Sequence, residues 1–496
     1  MRSAAKQGNA TPLIVVIVVA SLIGIGILVT SERCDEHILI LFALGLPAAL
    51  LVLRALYISS FRFRILISQL RWWHMLWLLM FLSGLVFRIR DTETIQQNPI
   101  DSWALYRMGL MTVIGAVLVI RLAMKKTDWL SSLLGGSLGL LTGYAAVAIV
   151  SSLWSLYPAW TLYKSLEYLI DLALIAAILA SVRSVSDIKS LFDWTWVLVA
   201  LLTASAWVGA LLLPDIGLRR DVGLLGVQLA GAIPAMETNH VGELGAILGI
   251  VALNRLIFMR DKAFYVVLFM AAMITLVFAQ SRSPITGFLI AVPLMLFAAG
   301  RIGPIALTAI LIFSVTTLTS FTDIFWEFFL RGQNEVQFSS LSGRTEGWVL
   351  GWELFKRSPL LGFGAYAGGR FAVLTELGKN FSASEWSSVL NTWLEIMIGV
   401  GLLGLVFVAA AFIRTWVNLL SSAFSSPTAS LTHCLAVESI GVLALISVRS
   451  MFTTEIFWHP PLTFFLVMGY GEFLYRLHKR SRRREAVFAA RTLPTV

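Results

Sequence analysis

Two arginines stand at positions typical of anion-binding groups. Arg282 lies in a short turn with the sequence Gln-Ser-Arg-Ser-Pro at 280–284, and Arg344 follows Ser342, a predicted N-cap, at the start of a helical pattern. A guanidinium group carries a planar fork of donors that matches the oxygens of a phosphate. Both arginines are therefore candidates for a clamp on a diphosphate group. The topology derived below places them on the outer face of a membrane.

Each arginine also has a structural explanation. Arg282 would suit an interfacial anchor whose charged end reaches water, and Arg344 would suit an ion pair with Glu346 at the start of its helix. Three further arginines fall on the same face and are candidates for ligand binding: Arg219, Arg220 and Arg370. Only one of the first two is needed if they share a role.

Polar residues open two of the apolar segments. Asn239 and His240 begin one of them, and Asn391 and Glu395 begin another. Ionisable groups in membrane segments are costly and often functional. An imidazole or a carboxylate can take a proton from a reacting hydroxyl group, so His240 and Glu395 are candidates for catalysis. The two asparagines are candidates for substrate binding, and a structural role for His240 is the alternative.

A third group of ionisable residues favours a structural explanation. Lys164, Glu167 and Asp171 share one face of an apolar segment at spacings i, i+3 and i+7. Oppositely charged residues three or four positions apart on a helix are neighbours. We therefore predict an internal ion pair between Lys164 and Glu167.

The composition excludes an ordinary soluble protein. Of 496 residues, 58% are hydrophobic and 13% are charged, whereas a soluble chain carries about 25% charged residues. The apolar residues form long blocks, and a helix of about 20 apolar residues crosses the hydrocarbon layer with its backbone polar groups satisfied. The chain is therefore predicted to be an all-α polytopic membrane protein.

The apolar blocks predict about fourteen transmembrane helices. We place them at 12–30, 38–57, 72–89, 104–123, 131–152, 163–181, 191–213, 239–258, 264–280, 284–299, 303–321, 388–411, 431–449 and 456–475. The chain then divides into N-terminal spans (1–130), central spans with the outer-face arginines (131–321), a large outer loop (322–387), C-terminal spans (388–475) and a basic tail (476–496).

Cationic residues set the orientation of these spans. Cytoplasmic loops are enriched in Lys and Arg, and this pattern fits an arrangement with both termini in the cytoplasm. The tail alone carries six such residues between 476 and 484. The net charge of +10 therefore reflects topology and contact with anionic lipids rather than nucleic-acid binding.

The outer loop at 322–387 contains a predicted helix. Trp348, Trp352 and Phe355 recur at helical spacing, and the helix should stop before Pro359. Its aromatic, amphipathic pattern favours a position along the membrane interface. The glycine-rich stretch at 362–369 follows and is interpreted as a flexible turn.

Five groups of short motifs occur in one order between residues 150 and 410. They are Ser-Ser-Leu-Trp-Ser-Leu-Tyr-Pro at 151–158, Asn-His-Val-Gly at 239–242, Ser-Arg-Ser at 281–283, Ser-Gly-Arg-Thr-Glu at 342–346 with Ser-Pro-Leu-Leu-Gly-Phe-Gly at 358–364, and Asn-Thr-Trp-Leu-Glu at 391–395 with Gly-Leu-Leu-Gly at 401–404. This ordered set resembles the bacterial O-antigen ligase and polymerase-like membrane proteins.

The resemblance implies a fold and an activity. Members of that family are metal-independent, all-helical (GT-C-like) glycosyltransferases of the inner membrane that need no cofactor. They transfer a glycan from an undecaprenyl-diphosphate carrier to an acceptor on the periplasmic face. The implied partners are the lipid-linked oligosaccharide, the glycan acceptor, membrane lipids and, for the polymerase branch, a chain-length regulator.

One position departs from the ligase branch of the family. In that branch a His directly precedes the Asn of the closing motif and is thought to serve the acceptor, whereas this chain has Leu390. The difference favours a polymerase that joins repeat units of O-antigen, capsule or exopolysaccharide. An O-antigen ligase is the first alternative, and a lipid or oligosaccharide transporter is the second.

The topology predicts where a reporter fused after residue 360 will lie. We expect a reporter that is active only in the periplasm to give a signal there, because 322–387 is assigned to the outer face. Paired fusions to a periplasmic and a cytoplasmic reporter measure this directly. A cytoplasmic signal would overturn both the topology and the site assignment.

Overall fold

The structure is a computed structural model, and it describes most of the residues between 63 and 492. The described residues are 63–85, 102–220, 225–301, 303, 344–366, 370, 372–373, 375–376, 388–454, 456–457 and 461–492, with the backbone alone for 480–492. The predicted spans at 12–30 and 38–57, and all but the first residue of 303–321, lie outside the described residues. So does the predicted N-cap, Ser342.

The described part is helical apart from one small hairpin. Helices α1 to α7 are Trp72–Ser83, Ser102–Ala123, Leu130–Leu133, Gly136–Val150, Pro158–Ser181, Val185–Leu212 and Pro214–Gly217, with a 3-10 turn at Ser151–Leu153 after α4. Strands β1 (Leu218–Arg220) and β2 (Val227–Leu229) pair antiparallel. Helices α8 to α14 are Thr238–Phe258, Lys262–Ala279, Arg282–Ala298, Arg344–Arg357, Thr392–Ser425, Leu431–Arg449 and Leu462–Thr492.

Seven helices of the described part are long and apolar enough to cross a membrane. They are α2, α4 with its 3-10 turn, α6, α8, α9, α12 and α13. This result confirms the prediction of an all-α polytopic membrane protein. The total of fourteen spans stays a prediction.

Some element bounds differ from the predicted spans for identifiable reasons. The segment predicted at 131–152 is divided between α3 and α4, because Gly136, the first residue of α4, takes a left-handed backbone (φ 64°). Helix α12 is much longer than 388–411, and it is interrupted at Gly401 (φ 64°, ψ −161°). Helix α14 begins at Leu462 rather than 456 and continues through the basic tail.

The described chain forms two compact units, and each has its own core. The first unit contains 196–301, with the C-terminal part of α6, the hairpin and helices α8 to α10. Helix α8 packs closely on α9, because a Cβ on Gly245 would lie only 2.9 Å from the carbonyl oxygen of Ala272. In α6, Trp207 Nε1 donates to Thr275 Oγ1 of α9 at 2.9 Å.

The second unit contains 71–195, 344–427 and 431–492 within the described residues. Its core includes α4, α5, α12, α13 and α14. Helix α4 meets α12 where Gly143 faces Phe407, since a Cβ on Gly143 would lie 2.6 Å from that ring. At the start of α4, Ser137 N donates to the buried carboxylate of Glu472 at 2.9 Å, and Arg476 Nε donates to the same group at 3.1 Å.

The predicted ion pair between Lys164 and Glu167 is confirmed, with the charged atoms 2.7 Å apart. Arg107 Nε lies 3.1 Å from the same carboxylate, and the Tyr163 hydroxyl donates to it at 2.7 Å. The Glu167 side chain is 1% exposed. A buried charge is tolerated when it is paired and hydrogen-bonded, so this cluster stabilises the contact between α2 and α5.

The predicted loop helix is present as α11 and packs against α12. Leu354 of α11 is buried with Val389 and Ile398, and Trp348 packs against the same cluster. Trp352 is about half exposed, and its ring lies 5.1 Å from the buried Phe355. The helix ends at Arg357, before Pro359, as predicted.

The glycine-rich stretch is a packed segment rather than the flexible turn expected from its composition. Phe363 N and Gly364 N each donate at 2.8 Å, to the carbonyl oxygens of Ile398 and Gly399 respectively. Leu402 N donates to Pro359 O at 2.9 Å. The segment therefore pairs through its backbone with α12 at the interruption around Gly401.

Replacing Gly362 by alanine tests this pairing. Gly362 has φ 63°, and a Cβ there would lie 2.5 Å from the backbone of Gly399. We expect Gly362→Ala to lower the melting temperature of the purified protein, with an overpacking cost of about 1–3 kcal/mol. Gly347→Ala in α11 is the matched control, because open space surrounds that position. Equal melting temperatures for the two variants would refute the close approach.

Candidate functional site

In the first unit, the starts of helices α8 and α10 meet. The Ser281 hydroxyl donates to Asn239 Oδ1. A Cβ on Gly242 would lie 3.1 Å from both Ser281 Cβ and Pro284 Cγ, so glycine permits this approach. The motifs at 239–242 and 281–283 are therefore neighbours. Helix N-termini carry partial positive charge and unpaired N–H groups, which favour anions.

Two buried glutamines hold the junction between α9 and α10 against the hairpin. Gln280 has a left-handed backbone (φ 45°), and its Nε2 donates to Val227 O at 2.6 Å. Gln228 Nε2 donates to Ala279 O at 2.8 Å. Because Arg219 is paired with Gln228 in the register of the hairpin, the same contacts fix the position of β1 relative to the start of α10.

The structure distinguishes the two arginines of β1. Arg219 forms an ion pair of 2.6 Å with Glu237, the residue that precedes α8. Arg220 pairs at 3.2 Å with Asp215, and both of those side chains are mostly exposed. Exposed ion pairs contribute little to stability. Arg219 therefore lies beside the start of α8, together with Asn239 and His240, while Arg220 faces Asp215.

In the second unit, Asn391 and Glu395 organise the start of α12. Asn391 Oδ1 accepts hydrogen bonds from Trp393 N at 3.0 Å and Leu394 N at 3.1 Å, which makes it an N-cap. Its Nδ2 donates to Met451 O at 3.1 Å. Glu395 Oε1 accepts from Val389 N at 3.0 Å.

Arg370 and Tyr366 lie near this helix start. Arg370 N donates to Tyr366 O at 3.0 Å. Arg370 is close enough to Glu395 to interact with its carboxylate electrostatically. Burial raises the pKa of Tyr366 well above its ordinary value.

An aromatic cluster beside Tyr366 was missed in the sequence. The Tyr366 ring lies 6.4 Å from Tyr144, 6.3 Å from Tyr168 and 6.0 Å from Phe457, measured between centroids. These rings come from α4, α5 and two loop segments, so local periodicity gives no signal for the cluster. The one available clue is an aromatic residue inside a glycine-rich stretch.

Arg344 is the first residue of α11 and is partly buried. One helical turn later, the Trp348 ring lies 6.1 Å from Phe452, next to the Met451 carbonyl that Asn391 contacts. The candidates thus fall into two groups. The first unit contains Arg219, Asn239, His240 and Arg282, and the second contains Arg344, Arg370, Asn391 and Glu395. Their roles in binding and catalysis stay predictions.

Comparison with protein families gives one match. Residues 265–409 match a family described as O-Antigen ligase. The match covers less than a third of the chain and includes Arg282, Arg344, Arg370, Asn391 and Glu395. The resemblance to the O-antigen ligase and polymerase-like family is confirmed over this region. A search of curated proteins found no match.

The contacts of Asn391 predict a loss of stability when its amide is removed. We expect Asn391→Ala to lower the melting temperature, because an N-cap is worth about 0.5–2 kcal/mol. Asn391→Ser should recover much of the loss, since its hydroxyl can accept the same N–H groups. Asn418→Ala, further along α12, is the control. If Asn391→Ala melts like the wild type but loses activity, its amide acts on the substrate instead.

Proposed function

We propose that this protein transfers a glycan from an undecaprenyl-diphosphate-linked oligosaccharide on the periplasmic face of the bacterial inner membrane. The observation that carries the proposal is the meeting of the α8 and α10 helix starts, with Arg282 in the first turn of α10 and Arg219 beside α8. Two helix N-termini and two guanidinium groups form an environment suited to a diphosphate. The family match over 265–409 supports the same chemistry.

The reaction requires stabilisation of the charge on the leaving diphosphate and removal of the proton from the acceptor hydroxyl. The acceptor hydroxyl oxygen forms a bond to the anomeric carbon, and the bond from that carbon to the diphosphate oxygen breaks. Negative charge grows on the leaving diphosphate, where preorganised arginines stabilise the transition state. Arg282 and Arg344 are the proposed candidates for this role, in a transfer that we propose needs no metal ion.

The acceptor hydroxyl must lose its proton as the new bond forms. Glu395 and His240 are the proposed bases, one in each unit. Glu395 is oriented by the hydrogen bond that it accepts from Val389 N. An oriented carboxylate is suited to general base catalysis.

Leu390 favours a polymerase over a ligase. It occupies the position of the ligase histidine and has a left-handed backbone (φ 48°), directly before the Asn391 cap. A leucine cannot exchange protons with an acceptor. We therefore propose that the chain joins repeat units of O-antigen, capsule or exopolysaccharide, in contact with membrane lipids and with a chain-length regulator. The alternative is an O-antigen ligase, which the description of the matching family favours.

Removing either arginine should abolish transfer without affecting membrane insertion. We expect Arg282→Ala and Arg344→Ala each to reduce product at least about 10²-fold, the effect of removing one donor to a developing anion. Arg357→Ala is the matched control, because Arg357 is an exposed arginine of α11 paired with Glu376 at 3.0 Å. Transfer should also persist in a metal chelator. Normal product from both arginine variants would eliminate the diphosphate clamp.

A further inference from the structure

Ser151 in the 3-10 turn after α4 and Thr161 in the first turn of α5 grip a single peptide, that of Ala365. Ala365 N donates to Ser151 Oγ at 2.9 Å, and Thr161 Oγ1 donates to Ala365 O at 3.0 Å. Both hydroxyl-bearing residues are 0% exposed, and Ala365 is 1% exposed. The two backbone groups of one residue are thus held by two side chains from another part of the chain.

Every hydroxyl proton in this grip has a defined acceptor. Ser151 Oγ donates to Ala148 O at 2.7 Å while it accepts from Ala365 N. Thr161 gives its proton to Ala365 O, so Ser155 is the donor in their contact at 2.7 Å. The Ser155 oxygen in turn accepts from Tyr157 N at 3.1 Å. A buried network with all members satisfied rigidifies its surroundings.

The residue after the gripped peptide is strained. Tyr366 has φ 55°, in the left-handed region, which costs a residue other than glycine about 1–2 kcal/mol. Such conformations persist only where the surrounding structure enforces them. The carbonyl oxygen of this strained residue accepts a hydrogen bond from Arg370 N at 3.0 Å, and Arg370 interacts electrostatically with Glu395.

We infer that Ser151 and Thr161 are positioning residues, which hold the Ala365 peptide so that Tyr366 and Arg370 stay aligned with Glu395. This inference rests on the proposed function, because it assigns the alignment to glycan transfer. It also explains the Ser-Ser-Leu-Trp-Ser-Leu-Tyr-Pro motif, whose Ser151 and Ser155 build the grip and whose Trp154 Nε1 donates to Leu361 O at 3.3 Å.

The test compares hydroxyl removal with hydroxyl retention at one position. Thr161→Val has the same shape without the hydroxyl, and Thr161→Ser retains it. Ser165→Ala is the control, because the Ser165 hydroxyl is equally buried but donates to Thr161 O within its own helix. Transfer is measured with the full-length protein in lipid nanodiscs, using undecaprenyl-diphosphate oligosaccharide as substrate. Hydrogen exchange of 361–366 is measured on the same samples.

We expect Thr161→Val to lower kcat about 10²-fold, the cost of misplacing reacting groups by about 1 Å. The KM for the lipid-linked donor should change by less than about twofold, because the alignment acts on the chemical step. Thr161→Ser should restore kcat, and Ser165→Ala should match the wild type. Exchange of 361–366 should rise in Thr161→Val alone.

Three results would overturn the inference or its premise. A Thr161→Val protein with normal kcat would refute the positioning role and leave the proposed function intact. If that variant fails to accumulate, Ser151→Ala replaces it, and a normal kcat there would refute the role equally. The wild type is assayed with two acceptors, a lipid-linked repeat unit for the polymerase and the final glycan acceptor for the ligase. Absence of transfer to both would refute the proposed function itself.

Discussion

The structure of the second unit depends on how the interruption of α12 satisfies its backbone. A regular helix would pair Leu402 N with Ile398 O, but the extended geometry at Gly401 separates them. In a hydrocarbon environment each unpaired backbone group costs several kcal/mol. The segment at 359–364 supplies the replacements, since Pro359 O accepts from Leu402 N and Phe363 N donates to Ile398 O. The segment at 359–364 therefore completes the backbone hydrogen bonding of α12.

That exchange of hydrogen bonds links the loop to the candidate site. Once 359–364 is paired with α12, the Ala365 peptide lies against Ser151 and Thr161, and Tyr366 leads to Arg370. In the first unit, two helix starts meet directly, through the hydrogen bond between Ser281 and Asn239. Both units thus place arginines beside helix N-termini, where negative charge is stabilised.

Two features that depend on local sequence patterns, a helix boundary and an ion pair, were predicted from the sequence. Hydrophobic length located α13 at 431–449 to the residue, and charge spacing predicted the pair of Lys164 with Glu167. The contact between the motifs at 239–242 and 281–283 was not predicted, because it joins residues about 40 positions apart. The role of the glycine-rich stretch was missed, because its partners Ile398 and Gly399 lie about 35 residues away and no periodicity records such pairing. The aromatic cluster around Tyr366 was missed for the same reason.

If this chain elongates a lipid-linked glycan, as we propose, glycan electrophoresis of a deletion strain should show the loss. We expect deletion to collapse the ladder of polymer lengths to a single-repeat band, and restoring the gene to restore the ladder. Polymer that accumulates on the lipid carrier without reaching its final acceptor would indicate a ligase instead. An unchanged ladder would contradict glycan transfer by this protein.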